Sequence, residues 1–198
     1  MEAAGASAVR PLRADARRNR ERIMAAARVC FAADGIEAQM DDVARQARVG
    51  VGTVYRHFPD KAALLAALKA ERFGALAALA TDALDQEDPW ESFRGFLWRA
   101  AELASEDRAH CQVMAAAPSE AGPELDELRA RTADLVERGK LAGAIREDFE
   151  PDDVPVIMCA LGRVMEATRE TEPLGWQRHL ALMLDGMRAS AAASPLPE

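Results

Sequence analysis

Aromatic residues are scarce in this chain: six Phe, three Trp and a single Tyr among 198 residues. Runs of β-branched residues and apolar–polar alternation are missing as well, which excludes a sheet-based fold. No stretch of eighteen apolar residues occurs, so no membrane span is expected. The opening MEAAGASAVR is too short and too polar for a secretory leader. Cysteine is limited to Cys30, Cys111 and Cys159, odd in number and widely spaced within helical patterns. That excludes a disulfide framework and fits small apolar groups in a reducing cytoplasm. Catalytic constellations are lacking too: there is no zinc spacing, no phosphate loop and no paired carboxylates. His110-Cys111 is the one His/Cys adjacency, but neighbours on a helix point about 100° apart and cannot work as base and nucleophile. Neither an enzyme nor a metal or cofactor is expected, and no internal repeat is evident.

What remains is rich in Ala, Leu, Arg and Glu, the composition of an all-α protein. The formal net charge of −8 argues by itself against a nucleic-acid partner. Divided at residue 61, the chain reads differently. Residues 1–61 carry eleven Lys and Arg against eight Asp and Glu, whereas residues 62–198 carry fourteen against twenty-five. A basic head on an acidic body suits local phosphate binding without general adhesion.

The organising stretch is Met40 to Lys61, MDDVARQARVGVGTVYRHFPDK. Asp41 and Asp42 open a short helix at the positive end of its dipole, and Val43, Ala44 and Ala47 give it a narrow apolar stripe. Arg48-Val49-Gly50 interrupts. A second run, Val51 to Phe58, closes at Pro59, with Val54 and Phe58 on one face and Thr53, Arg56 and His57 on the other. Two helices of about two turns joined tightly make a helix-turn-helix. Helices this short need a third to pack on, and Ile23, Ala27, Cys30 and Phe31 supply its buried face between Asn19 and Asp34. Gly35 marks the stop.

Phe31, Gly35, Asp42-Val43-Ala44, Ala47, Val49, Gly52-Thr53-Val54-Tyr55-Arg56-His57-Phe58, Lys61 and Leu64-Leu65 together resemble the TetR/AcrR family of bacterial transcriptional regulators. The resemblance is strong from Arg17 to Leu68 and weaker beyond. Three positions depart from the family pattern: Gln39 replaces a Ser or Thr cap, Arg48 replaces a turn glycine, and Gly50-Val51 replaces Ser-Lys. A poor cap at Gln39 leaves about 1 kcal/mol missing.

Pro59-Asp60-Lys61 starts a long helix through Leu64, Leu65, Leu68, Arg72 and Leu76 to about Leu84, a lever shared by two domains. Asp88-Pro89 starts the next, with Trp90, Phe93, Leu97, Ala100 and Ala104 on one face. Further helices are expected over 107–116, 123–141, 152–170 and 174–192, with a connector at 143–149. Residues 1–13 and the tail AAASPLPE are expected to be disordered or frayed. The last two helices are apolar on more than one face, so a second buried surface is expected. The resemblance implies that it is a two-fold seam. The residues assigned to that homodimer interface are Val154, Ile157, Leu161, Met165, Trp176, Leu180, Met183, Leu184 and Met187.

For DNA, Arg56 offers a fork that matches the guanine edge, Thr53 is a second base contact, and Val51 meets a thymine methyl. Gly52 admits close backbone approach. The resemblance implies phosphate contacts from Tyr55, His57 and Lys61. Arg48 belongs to the same surface. Arg17, Arg18, Arg20 and Arg22 crowd the start of helix 1 as phosphate anchors, with the 1–13 arm reaching for the minor groove. The resemblance also implies a small-molecule site in the body, for which Trp98, His110, Cys111, Met114 and Met158 are candidate liners. Occupancy of that site would respace the heads and release DNA.

The resulting expectation is an all-α chain. Residues 1–61 form a three-helix helix-turn-helix DNA-binding domain, and residues 62–198 form a helical ligand-binding and dimerisation domain. It would act in the cytoplasm, away from any membrane, as a homodimeric repressor released from a palindromic, double-stranded operator by an unidentified inducer. The alternatives are a ligand-independent regulator or activator, and a helical small-molecule-binding protein.

Overall fold

The structure, a computed structural model, describes residues 9–106, 113–114 and 122–197, the side chains of 9–14 excepted. Eight α-helices run in order through these residues: α1 Val9–Asp34, α2 Met40–Ala47, α3 Val51–His57, α4 Lys61–Leu84, α5 Pro89–Glu106, α6 Pro123–Leu141, α7 Asp153–Thr168 and α8 Gly175–Met187. Short 3-10 turns follow α1 and α8. The expected all-α class holds, and among the described residues the one β-type pairing is an isolated bridge between Ile145 and Arg188. Val113 and Met114 are helical, and the rest of the helix expected over 107–116 lies outside the described residues.

The helix starts follow the local chemistry. The Asp60 carboxylate accepts the Ala63 N–H at 2.7 Å at the head of α4, and Asp88 accepts the Glu91 N–H at 2.9 Å at the head of α5. Gly35 takes φ 63° after α1, as a helix stop requires. Gln39 is better supported than expected. Its own amide donates to the Glu37 carbonyl at 2.5 Å, but the Asp42 carboxylate accepts the Gln39 N–H at 3.1 Å, the reciprocal half of a capping box.

The chain divides into two compact units, one through Lys69 that also takes Val113 and Met114, the other from Ala70 onward. The division falls within α4 rather than at Lys61, because Leu64, Leu65 and Leu68 are buried with the first unit's apolar residues. In that unit α1 buries Ile23, Ala27, Cys30 and Phe31, and α2, packed on α1, buries Met40, Val43, Ala44 and Ala47. In the second unit α5 brings Trp90, Phe93, Phe96 and Leu97 to a core shared with Leu135, Val136, Ile145 and Phe149. Phe93 and Phe149 meet edge to face with centroids 5.8 Å apart.

Four expectations are corrected. Residues 9–13 of the expected arm are helical in backbone, as part of α1. Helix α8 stops at Met187 rather than near Ala192, because Arg188 turns extended and Ala189 donates to the Ala144 carbonyl at 3.1 Å. The tail beyond is tied down. The Arg146 guanidinium donates to the Ser194 carbonyl at 2.6 Å, and the Leu196 N–H donates to Asp148 at 2.8 Å.

The fourth correction concerns the two-fold seam. Val154, Leu161, Met165, Trp176, Leu180, Leu184 and Met187 are buried in their own chain's core, and Ile157 and Met183 lean on it half-buried. The seven buried side chains are spent inside one chain, whereas Ile157 and Met183 keep exposed surface. The apolar residues that α7 and α8 leave exposed are others: Val156, Cys159, Ala160, Ala167, Ala181 and Leu182.

Candidate nucleic-acid interface

Helix α2 ends in a turn that fixes how α3 leaves it. Arg48 lies in the left-handed region at φ 54°, ψ 44°. Its N–H bonds to the Arg45 carbonyl at 3.1 Å, while the Val49 N–H reaches back to Ala44 at 3.1 Å. These are the paired bonds of a Schellman helix end, normally completed by glycine. Gly50 is extended, and its carbonyl accepts the Thr53 N–H at 2.8 Å to begin α3.

Val54 and Phe58 anchor α3 inward and are buried. Its other residues face away. Val51, Gly52, Tyr55 and Arg56 are exposed, and Thr53 and His57 are half-buried. His57 sits beside Phe58 with centroids 6.4 Å apart. The expected readers, Val51, Gly52, Thr53 and Arg56, therefore share one short helix, with Tyr55 on it and Arg48 on the turn before it. Neither Arg48 nor Arg56 has a side-chain partner among the described residues.

The cations on α1 sort into two groups. Arg17 lies 3.6 Å from Glu21 and Arg18 pairs with Asp15, and all four side chains are largely exposed. Exposed pairs of this kind are worth only a few tenths of a kcal/mol, so either arginine is free to exchange its carboxylate for another anion. Arg20 and Arg22 are engaged within the fold, against the expectation of phosphate anchors. The Arg20 guanidinium lies 5.2 Å from the Phe58 ring centroid and donates to the Met24 sulfur at 2.9 Å. Arg22 donates to the Ala47 carbonyl at 2.7 Å. Lys61, expected on a phosphate, donates to the Ile36 carbonyl and lies 6.0 Å from the Phe31 ring.

Two family models match the chain. One, described as bacterial regulatory proteins of the tetR family, covers residues 23–68. The other, an SbtR-like transcriptional regulator C-terminal domain, covers residues 88–189, more than half of the chain. The chain belongs to the TetR family. It is a helix-turn-helix regulator of transcription that binds DNA, and proteins of this family and fold are not enzymes.

A TetR regulator structure from Mycobacterium vanbaalenii is 30% identical, with a TM-score of 0.62, over 90% of this chain and 99% of that one. FadR from Bacillus subtilis, solved in complex with stearoyl-CoA, has the same fold at 17% identity, with a TM-score of 0.65 over 83% of this chain and 96% of that one. An HTH-type transcriptional regulator of Staphylococcus aureus is 43% identical over 54 residues, 27% of this chain and 29% of that protein. The TetR family binds operator DNA, typically as dimers, and small-molecule ligands.

The expected ligand liners are not all brought together. Trp98 and Met158 pack half-buried against the second unit's core, where Trp98 meets Trp176 with centroids 5.8 Å apart. Met114, also half-buried, belongs to the first unit. His110 and Cys111 lie outside the described residues. Among the described residues no helix is long and apolar enough to cross a membrane. Missed from sequence was the Arg146–Asp148 pair, joined at 2.6 Å and 3.0 Å, which holds the tail. The two-residue spacing on a connector was its only signal.

Proposed function

We propose that this TetR-family protein is a repressor. It holds a palindromic operator as a homodimer and releases it when a small molecule binds the unit from Ala70 onward. The division of α3 carries the reading. Val54 is buried and holds the helix, while Arg56, with no internal partner, and Val51, Gly52 and Tyr55 are left to solvent. A basic unit that exposes an unpaired guanidinium on a short helix fits the major groove, where an arginine fork reads guanine. Thr53 and Val51 are the further base contacts. Tyr55, His57, Arg48, Arg17 and Arg18 serve the phosphates. Lys61, held by the Ile36 carbonyl in the free chain, is a further phosphate candidate.

Self-association is supported by the exposed apolar residues of α7 and α8, Val156, Cys159, Ala160 and Leu182. Two copies would set their α3 helices about 34–36 Å apart, one turn of duplex. A ligand role for the body is supported by the half-buried Trp98 and Met158, and by the stearoyl-CoA held by FadR, a protein of the same fold. The free thiols of Cys30 and Cys159 fit a cytoplasmic setting.

The test is to select bound sequences from random duplex DNA and then repeat the selection with metabolite extract. A palindrome whose enrichment falls with extract is the expected result. Enrichment that no extract changes would leave a ligand-independent regulator. R56A should relax preference at one base pair per half-site, whereas a uniform loss across sequences would move Arg56 to a phosphate. A chain that ignores every duplex in dilute salt would overturn the proposal.

A further inference from the structure

A helix end leaves four carbonyls without an intrahelical donor. At α2 these belong to Ala44, Arg45, Gln46 and Ala47. The Val49 and Arg48 amides take the first two. Ala47 obtains its donor from another helix: the Arg22 Nη2 leaves α1 and reaches the Ala47 carbonyl at 2.7 Å, with a longer bond to the Arg48 carbonyl at 3.4 Å. The turn has particular need of it. Arg48 carries a side chain in the left-handed region, where only glycine is unstrained. A cation at the negative end of the α2 dipole is favourable as well.

We infer that Arg22 is a positioning residue for DNA reading: it locks the α2–α3 turn, so that α3 is presented at a fixed angle, and does not itself neutralise a phosphate. The inference rests on the DNA-binding reading above and assigns that surface a part that touches no DNA. Without Arg22 the turn still forms, held by two backbone bonds, but opens more often, and α3 swings with it.

The experiment uses the full chain as R22Q and R22K. Hydrogen exchange on the free protein comes first. In R22Q the Arg48 and Val49 amides should exchange roughly tenfold faster or more, the scale of a charge-assisted hydrogen bond. Amides from Ile23 to Phe31 should keep their protection, and R22K should restore much of what R22Q loses. Turn amides that do not change would overturn the inference, whatever the protein does with DNA. So would protection lost equally throughout α1, since Arg22 would then merely stabilise the unit.

Affinity for the selected operator is then followed against salt. R22Q should bind about tenfold more weakly with an unchanged slope of log K against log salt, whereas a lost phosphate contact lowers that slope by about 0.9 per contact. A lowered slope, or an unchanged affinity, overturns the positioning role. Failure of the wild type to bind any duplex would sink the regulator reading and the positioning role with it. The exchange data tell that failure apart from failure of the lock itself.

Discussion

Gly52 and Arg48 show how a residue's own fold can be separated from its service to a partner. A Cβ added at Gly52 meets nothing within 4 Å, so the protein's packing does not require glycine there. Glycine within a helix costs about 1 kcal/mol relative to alanine. G52A should therefore leave stability equal or raise it by up to about 1 kcal/mol. If DNA backbone approaches α3 at this point, the same methyl should weaken operator binding by about 1–2 kcal/mol, as overpacking does. Denaturant melts and operator titrations on one preparation check both signs, and equal affinity would show that no backbone comes near. Arg48 is the converse case. R48G should relieve left-handed strain and stabilise the protein by about 0.5–1 kcal/mol, read from the denaturant midpoint. It should also weaken operator binding and lower its salt slope, because an exposed cation is removed. These residue types were legible in the sequence, but their partners were not. A run of arginines on α1 gives the number of cations; which carbonyl Arg22 meets, or that Arg20 lies over Phe58, depends on how α1 crosses the turn.

At the scale of elements, helix boundaries marked by Pro, Asp and Gly were readable, because each acts within a few residues of itself. Asp60, Asp88, Gly35 and Pro123 stand where their chemistry places them. The position of the α6–α7 connector was readable, but how it and the tail are held was not, because the groups that hold them lie far apart in sequence. Gly139 lies inside α6, where propensity favours alanine by about 1 kcal/mol. A Cβ there would come 2.7 Å from the Ile145 Cγ1 and overlap that side chain, and overpacking costs about 1–3 kcal/mol. Sterics should win, so G139A destabilises and I145V partly rescues it, a coupling that thermal melts of the two single variants and the double variant would show. The tail adds a pH dependence. Two hydrogen bonds from Arg146, and then the Leu196 N–H, hold the Asp148 carboxyl well below the usual carboxylate range. A depressed folded pKa contributes stability that is fully present above the unfolded value, about 3.9, and is lost as pH falls below it toward the folded one. D148N should lack this contribution at every pH. Acid unfolding should separate wild type from D148N least at the lowest pH, and tail proteolysis at neutral pH should be faster in D148N.

For the whole molecule, the breadth of the α7 and α8 stripes has two components that a list of apolar residues merges. On α7, Val154, Leu161 and Met165 share a phase and are buried, while Val156, Cys159, Ala160 and Ala167 occupy the opposite phase and are exposed. On α8, Leu180 and Leu184 point inward while Leu182, 62% exposed, points out. The breadth of the stripes raises the expectation of a second buried surface, and the phase of each residue decides which surface it serves. That makes neighbouring leucines opposite tests. L180A should open a cavity and cost the body about 2–5 kcal/mol, lowering the melting temperature. L182E should leave a single chain's fold nearly untouched, since its side chain already meets water. In a two-fold seam each chain contributes Leu182 once, and burying one leucine is worth about 1.5–3 kcal/mol. L182E should then weaken self-association by about 3–6 kcal/mol per dimer, before the added cost of bringing two carboxylates together. Light scattering at micromolar concentration should show L182E as a monomer with wild-type helicity. Its operator affinity should fall to that of one head on one half-site, because the second contact is no longer intramolecular. A wild-type chain already monomeric under those conditions, or an L182E chain that stays dimeric, would move the seam away from this face of α8.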